Sequence, residues 1–280
     1  MQQQRRILLL GSAGYLGRTL TAHLQARGYV IPTHRSQARF AGSQRYDFWT
    51  DDISSLVEQQ QIATVVIAAN MAAAHSTYGH AFFKQRVEQL VRGCRQCRVI
   101  YISSDGIFDG EQGHYSESDI PVPMMPYGRN LHYFEETVRR LCTNYCIIRP
   151  SYLYGYSLAQ LDPRLSRVRE QLLAGERLAF FDDMIKSPMD VNQVAEAVAF
   201  LTYSEYIGIV HVAGEALSVY DFYRAAMSSL GVVSGHLNAI KMSLDFPHPR
   251  DTSLDISLMK ELTKIEPLPV YQALQRQNKT

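Results

Sequence analysis

The sequence lacks both an excess of one charge and long hydrophobic runs. Its 280 residues include 28 lysines and arginines against 27 aspartates and glutamates, a formal net charge of +1. That balance gives no indication of a nucleic-acid partner, and we interpret Arg5 and Arg6 as the lead-in to a strand. The run "ILLL" is far shorter than the apolar core of a signal peptide, and no segment approaches the ~20 apolar residues of a membrane span. The sequence therefore predicts a cytoplasmic protein whose partners are small molecules or other proteins.

Cysteine is also scarce, with four residues in the chain. They form a C-x2-C pair and a C-x3-C pair, spacings that zinc sites and disulfides also use. Both pairs lie where a helical pattern runs into an apolar strand, a position typical of small buried hydrophobic side chains. We therefore expect no metal site at these residues: Cys94, Cys97, Cys142 and Cys146.

The first half of the chain shows a regular alternation of strand and helix patterns. Apolar runs such as "RILLL", "ATVVIAAN" and "RVIYISS" are separated by helical segments with periodic apolar residues. Strands that are apolar on both faces and separated by helices indicate a parallel sheet covered on both sides. The sequence predicts an α/β fold with a Rossmann-type doubly wound parallel sheet.

Residues 1–150 are predicted to form this sheet domain, because the alternation persists as far as Pro150. After that residue the pattern loosens into mixed helices, short strands and proline-rich connections. Residues 151–280 are therefore predicted to form mainly a smaller C-terminal substrate lobe rather than a second independent domain. Residues of about 189–203 are the exception, since we expect them to return and pack on the sheet.

A glycine motif, G-x-x-G-x-x-G, follows the first predicted strand directly and opens the first predicted helix. Glycines there allow a tight turn, a close approach of the backbone to a pyrophosphate, and close packing of the helix on the strand. The helix N-terminus adds amide donors and the positive end of its dipole. The alternative is a glycine-rich turn that binds no ligand. The motif predicts a dinucleotide-binding loop that comprises Gly11, Ala13, Gly14, Tyr15, Leu16 and Gly17.

The segment after the second predicted strand bears on the choice of cofactor. An NAD site usually places an acidic residue there to bind the ribose hydroxyls, whereas a 2'-phosphate calls for arginine. Here the segment reads "PTHRSQAR", with Arg35 and Ser36 in place and Arg39 nearby. NADP is therefore favoured over NAD. The alternative is that both arginines belong to a solvated surface.

Five further segments occur in an order that chance does not readily produce: "YISSDGIFDG", "YGRNL", "RPSYLYG", "GIVHVAG" and "PRDTSLDISLMKEL". With the glycine loop they resemble the extended short-chain dehydrogenase/reductase superfamily, and within it most of all the dTDP-4-dehydrorhamnose reductase and NAD-dependent epimerase/dehydratase group. The resemblance implies a Rossmann fold of about seven strands, with NAD(P)H in the crevice and a lobe that holds a sugar nucleotide. The implied chemistry is hydride transfer to a sugar ketone while a tyrosine protonates the developing alkoxide.

The resemblance also implies roles for individual residues. Tyr127 matches the proton-donating tyrosine, and Ser104 matches the residue that hydrogen-bonds the substrate oxygen. Arg250 fits a cation that faces the substrate phosphates, and the alternative is a salt bridge to Asp251 or Asp255. On the same basis, cofactor contacts are implied for Ala68, Ala69 and Pro150, and further substrate contacts for Ser103, Asp105 and His75.

Leu131 departs from the family pattern, because it stands where the family has a lysine, one helical turn after Tyr127. In the family that lysine holds the nicotinamide ribose and lowers the pKa of the tyrosine, and a hydrocarbon can do neither. No lysine lies between Lys84 and Lys186, which excludes a lysine shifted within the same segment.

Other basic residues near this segment are candidates for the missing cation. Arg129 and His132 lie about 200° and 140° around the helix from Tyr127, so neither shares its face. His75 and His80, in the loop after the "VVIAAN" strand, are better placed. The alternative is that both histidines are surface or packing residues.

Two functions remain open. The first is an NAD(P)-dependent reductase, or a related epimerase, that acts on a nucleotide-linked sugar or a similar keto or hydroxy substrate, with Ser104 orienting the carbonyl and Tyr127 donating the proton. The second is a non-catalytic NADP-binding scaffold or regulatory subunit, such as that of methionine adenosyltransferase, because losing the lysine spares cofactor binding more than hydride transfer. Gly106, where the family has a tyrosine, and the displaced Asn70 are further departures. A homodimer or a partner enzyme is compatible with either function.

Overall fold

The first half of the chain alternates strands and helices, as its hydrophobic pattern predicts. The structure, a computed structural model, describes residues 5–72, 79–243 and 245–275. The strands of this half are β1 (Arg6–Leu10), β2 (Tyr29–His34), β3 (Gln44–Arg45), β4 (Thr64–Ile67), β5 (Arg98–Ile102) and β6 (Tyr145–Pro150). Its helices are α1 (Tyr15–Gln25), α2 (Ile53–Gln59), α3 (Gly79–Cys94) and α4 (Pro126–Leu141).

The second half places short strands between its helices. The strands are β7 (Leu153–Tyr154), β8 (Tyr156–Ser157), β9 (Gln160–Leu161), β10 (Leu178–Phe181), β11 (Ile185–Lys186), β12 (Met189–Asp190), β13 (Gly208–Val212), β14 (Leu217–Ser218) and β15 (Leu237–Ile240). The helices are α5 (Pro163–Leu173), α6 (Val191–Tyr203), α7 (Val219–Ser229), α8 (Ser257–Thr263) and α9 (Val270–Gln275). Short 3-10 helices span Asp105–Ile107 and Ser234–His236.

One seven-stranded sheet has the order β13-β6-β5-β4-β1-β2-β3. All its neighbouring strands pair in parallel. The chain runs outward from β1 to β3 and then crosses back to β4 on the other side of β1. This reversal leaves a crevice at the carboxyl ends of β1 and β4, the place where doubly wound sheets bind ligands. The predicted α/β Rossmann-type fold is confirmed.

The main hydrophobic core lies on both faces of this sheet. Strand β4 is buried at every position and β1 at all but its first, which explains why both are unbroken apolar runs in the sequence. Helix α6 packs against α1 and β6. A second hydrophobic cluster is formed mainly by α5, α7 and α9, with β10 and β15 beside them. The residues of this second cluster lie within the segment predicted as the substrate lobe.

All four cysteines are buried free thiols. Burial raises the pKa of each thiol, to about 11 for Cys142 and about 12 for Cys146, so they are protonated at neutral pH and poor metal ligands. Within the described ranges, no group of three or more His, Cys, Asp or Glu side chains is placed to hold a metal ion. Among the same residues, no helix is both long and apolar enough to cross a membrane.

Candidate active site

The glycine loop makes a tight connection between β1 and α1. Gly11 has a φ of +90°, and a Cβ there would lie 2.6 Å from the Cα of Ala69. A Cβ on Gly17 would lie 2.0 Å from the carbonyl oxygen of Gly11. Gly14 donates its N–H to that same oxygen at 3.0 Å and precedes α1, whose first turn has neither a side-chain cap nor an acidic residue. The first turn of α1 therefore suits an anion such as a pyrophosphate.

A cleft of about 660 Å³ begins at this loop and extends across the carboxyl ends of β4, β5 and β6. Its volume is within the range of small-molecule and cofactor sites. Predicted contact residues that line it are Gly11, Gly14, Tyr15, Leu16, Gly17, Ala68, Ala69, Ser103, Ser104, Asp105, Tyr127 and Pro150. The lining also contains Tyr152, Arg164 and Lys186, which no sequence pattern predicts as site residues.

A smaller cavity of about 240 Å³ adjoins the glycine loop at the end of β2. Ala13 and Arg35 belong to its lining. Ser36 and Arg39 are exposed and lie outside that lining. Of the three residues predicted to bind a 2'-phosphate, Arg35 is therefore the one that the fold brings to the loop.

Tyr127 and Ser104 meet at the far end of the cleft from separate elements, the first turn of α4 and the segment after β5. The Oγ of Ser104 donates to Oδ1 of Asp105 at 2.9 Å and accepts from the N–H of Gly106 at 3.2 Å. Burial and then the negative charge of Asp105 raise the pKa of Tyr127 above its ordinary value of 10.0, and a hydrogen bond with Ser104 offsets only part of this rise. The phenol is therefore protonated at neutral pH and can act as an acid.

Asp105 is a buried carboxylate that links several segments beneath this pair. Besides Ser104, it accepts hydrogen bonds from Ser151 at 3.0 Å, from Thr252 at 2.6 Å and from Lys186 at 3.1 Å. Burial opposes ionisation, but the charge of Lys186 and the hydrogen bonds outweigh it and lower the pKa of Asp105. The site therefore contains a permanent anion at neutral pH.

The side chain of Leu131 is buried and lines the cleft together with Tyr127. The family position for a lysine is thus occupied by hydrocarbon at the wall of the site. Arg129 does not replace it, because its guanidinium donates to the carbonyl of Met124 at 2.6 Å.

Of the two histidines considered as substitute cations, His80 is outside the cleft lining. His80 is exposed at the start of α3, and His75 lies outside the described residues. Among the residues that the structure describes, the basic side chains in the lining are Arg164 and Lys186. Arg164 is held by the carboxylate of Asp162 at 2.8 Å, whereas Lys186 reaches the end of the cleft that contains Asp105.

Arg250 follows neither interpretation made from the sequence, a contact with a substrate phosphate or a salt bridge within its own segment. It pairs with Asp183 rather than with Asp251 or Asp255, and its side chain is 43% exposed. It lies outside the lining of the cleft, so the described conformation does not direct it toward a phosphate there. The pair instead joins the segment before β11 to the segment that contains Thr252.

A third cavity, of about 320 Å³, shares Ser104, Asp105, Tyr127 and Lys186 with the cleft. The rest of its lining is mostly apolar and comprises Gly106, Phe108, Met124, Met125, Met184, His248 and Pro249. A Cβ on Gly106 would lie 3.6 Å from the ring of Tyr127, so a side chain there would pack against that ring. Glycine therefore leaves space open beside the ring of Tyr127.

A parallel sheet with a glycine loop and a cleft at its switch point is the arrangement of Rossmann-type folds. The family model described as the RmlD substrate binding domain matches residues 5–279. The chain belongs to this family. The resemblance that the sequence motifs carry is confirmed by this match.

Several characterised proteins are similar to the chain over most or part of its length. The probable low-salt glycan biosynthesis reductase Agl14 of Haloferax volcanii is 27% identical over 266 residues, which cover 88% of each protein. Methionine adenosyltransferase 2 subunit beta of Pongo abelii is 28% identical over 173 residues, 59% of this chain and 52% of that subunit. The crystal structure of dTDP-4-dehydrorhamnose reductase from Bacillus anthracis in complex with NADP superposes with a TM-score of 0.81 and 18% identity over the whole of both chains. This last match bears on the fold.

Replacing Gly17 with alanine is expected to weaken NADPH binding by at least about tenfold. The added Cβ would overlap the carbonyl oxygen of Gly11, so the first turn of α1 must move away from the loop. Fluorescence titration of NADPH checks this result. Gly235→Ala is the matched control, because no heavy atom lies within 4 Å of a Cβ built there. Equal affinities for the two variants would contradict a nucleotide at the loop.

Proposed function

We propose that the protein is an NADP-dependent reductase that acts on a keto group of a nucleotide-linked sugar or a similar substrate. Tyr127 serves as the proton donor, and Ser104 orients the carbonyl. The observation that carries this proposal is that both hydroxyls line the end of the cleft that begins at the glycine loop. The similarity to a reductase over most of both chains, and to the fold of an NADP-bound reductase, supports it.

The residues at the loop fit a dinucleotide. The uncapped first turn of α1 faces the cleft, which suits a pyrophosphate. Arg35 supports a 2'-phosphate in the adjoining cavity, whereas Asp47 in the same lining accepts from the N–H of Trp49 at 3.0 Å. NADPH, when bound, supplies the hydride for the reduction.

The protonation state of Tyr127 favours reduction over epimerisation. Reduction of a ketone needs a proton donor, whereas an epimerase of this type must first remove a proton from a hydroxyl. Burial and the charge of Asp105 raise the pKa of Tyr127, so the phenol is the form present at neutral pH. Such a group is available as an acid but is a poor base. We therefore place reduction ahead of epimerisation.

The test is a fluorescence titration with NADPH and NADH, followed by an assay of NADPH oxidation with a panel of 4-keto nucleotide sugars. We expect NADPH to bind more tightly than NADH and to be oxidised in the presence of at least one member of the panel. Binding without turnover on every member would contradict the reductase. A failure to bind either nucleotide would contradict the cofactor site itself.

A second candidate function is a cofactor-binding subunit without turnover. The buried hydrocarbon of Leu131 in the cleft wall favours it, as does the similarity to a methionine adenosyltransferase subunit. In that case the wild type would bind NADPH without oxidising it, and activity would arise only in Leu131→Lys. Turnover by the wild type that changes little in Leu131→Lys would contradict this candidate.

Arg35→Ala is expected to weaken NADPH binding by about 10- to 100-fold, the usual loss for a hydrogen bond to a charged group. NADH affinity should stay near that of the wild type, since NADH lacks the 2'-phosphate. Arg39→Ala is the control, because Arg39 lies outside the cavity that Arg35 lines. Parallel titrations of both nucleotides measure the difference. An equal loss for NADPH and NADH would show that Arg35 does not discriminate between them.

A further inference from the structure

Lys186 lies on β11, and the fold brings it to the site although it is distant in sequence from α4, the helix that carries Tyr127. Its Nζ lies 3.1 Å from Oδ2 of Asp105 and 2.7 Å from Oγ1 of Thr252. The side chain is 22% exposed. It lines both the cleft and the 320 Å³ cavity, which also have Tyr127 in common. Its backbone is well fixed, because β11 pairs with β14 and Ile185 hydrogen-bonds to backbone atoms of residues 250 and 252.

We infer that Lys186 is a positioning residue that neutralises the buried carboxylate of Asp105 and so allows negative charge to develop on Tyr127 when it donates its proton. This inference rests on the proposed reductase function. Lys186 acts from β11 and supplies the electrostatic part of what a lysine at position 131 supplies in the family.

The electrostatic argument starts from Asp105. Its carboxylate hydrogen-bonds Ser104, and its charge disfavours an anion on Tyr127. Once Tyr127 has given up its proton, it is a second anion in the same buried region, where like charges repel strongly. The ammonium of Lys186 makes the pair with Asp105 neutral. The phenolate is then the one net negative charge that the site must stabilise.

Other ionisable groups around Tyr127 do not neutralise Asp105. In the described part of the chain, the walls of the cleft and of the 320 Å³ cavity also hold these ionisable residues: Tyr15, Tyr101, Tyr152, Arg164 and His248. The three tyrosines are uncharged, because burial raises the pKa of each above 10.0. Arg164 is held by the N-cap carboxylate of its own helix, and His248 contacts the ring of an adjacent phenylalanine instead. Among these residues the carboxylate bonds to hydroxyls and to the lysine of β11.

The first test needs no substrate. Incorporation of 3,5-difluorotyrosine at position 127 gives a phenol that ionises at lower pH than tyrosine, so its absorbance reports ionisation while the protein stays folded. We expect Lys186→Met to raise the pKa of this group by about one unit or more. Asp105→Asn in the same background should reverse the rise, because the carboxylate that needed neutralising is gone. Lys186→Arg keeps the charge and should leave the pKa near that of the unsubstituted site.

An unchanged pKa in Lys186→Met would overturn the inference, and so would a rise that Asp105→Asn does not reverse. In either case Lys186 would serve only to hold the segment around Thr252 against the sheet. Lys241→Met is the matched control, because Lys241 is an exposed lysine paired with Asp182. It should leave the pKa at position 127 unchanged.

The second test is kinetic and uses the keto sugar that the wild type reduces. We expect Lys186→Met to lower kcat by about tenfold or more, with KM and NADPH affinity within about threefold of wild type. Leu131→Lys in this background should restore much of the lost kcat. A loss confined to KM would assign Lys186 to a substrate phosphate and overturn the inference. If the wild type has no turnover, the proposed function fails, while the ionisation test still decides the role of Lys186.

Discussion

Replacing Tyr127 with phenylalanine is expected to lower kcat for NADPH oxidation by about 10²- to 10⁴-fold, the usual contribution of a positioned acid. NADPH affinity should change by less than about threefold, because the proposed nucleotide site begins at the glycine loop at the other end of the cleft. Burial and the charge of Asp105 keep the phenol protonated, and phenylalanine keeps its ring without its proton. Steady-state kinetics on the 4-keto nucleotide sugars and a fluorescence titration separate the two effects.

The raised pKa of Tyr127 also determines the sign of the pH dependence. The acid form is fully present below that pKa, so its contribution to reduction persists through neutral pH and is lost only as the pH rises above 10.0. The reverse oxidation needs the phenolate and should become faster as the pH rises.

Tyr133→Phe is the control for Tyr127→Phe, since Tyr133 lies on the same helix and donates to Glu88 at 3.2 Å instead. Wild-type kcat in Tyr127→Phe would show that the proton comes from another group.

The parts of the fold that position the cleft could be predicted because their causes are local. Strand β4 is buried at every position and is therefore an unbroken apolar run in the sequence. Gly17 leaves no room for a side chain beside the carbonyl of Gly11, which is the steric requirement that the glycine motif expresses. Tyr127 and Ser104 were linked by the family resemblance, since no periodicity joins a residue after β5 to the first turn of α4.

The cations of the site could not be predicted in this way, because their partners are distant along the chain. The residue one helical turn after Tyr127 is Leu131, which carries no charge. The lysine of the site, Lys186, lies on β11 and reaches Asp105 from there. Arg250 pairs with Asp183 through an equally long-range contact, which spacing within its own segment cannot reveal. A further limit is side-chain direction. Two arginines on one loop look alike in sequence, and the fold brings one of them, Arg35, to the cavity beside the glycine loop.

Breaking the ion pair between Arg149 and Glu135 is expected to have the largest effect on stability. Arg149 lies on β6, and Glu135 lies on α4, the helix that carries Tyr127. The guanidinium donates to the carboxylate through Nε at 3.1 Å and Nη2 at 2.7 Å, and both side chains are at most 2% exposed. It also lies 3.4 Å from Nε2 of His211 and 5.4 Å from the centre of the Phe108 ring. The pair therefore fixes α4 against the sheet.

Arg149→Met leaves the carboxylate of Glu135 buried without its partner. We expect the free energy of unfolding to fall by about 3–5 kcal/mol and the Tm to fall by roughly 6–15 °C, as measured by urea unfolding and calorimetry. Arg139→Met is the matched control on the same helix, because its ion pair with Glu136 is about half exposed. That variant should lose less than about 1 kcal/mol.

A double variant decides whether the loss in Arg149→Met comes from the unpaired charge or from lost packing. Adding Glu135→Leu removes the second charge and should recover most of the stability, since apolar residues of similar volume replace buried ion pairs at little cost. If the double variant is as unstable as Arg149→Met, the unpaired carboxylate is not the cause. The contacts of the guanidinium with Phe108 and His211 would then be what holds α4, and with it the phenol of Tyr127, in place.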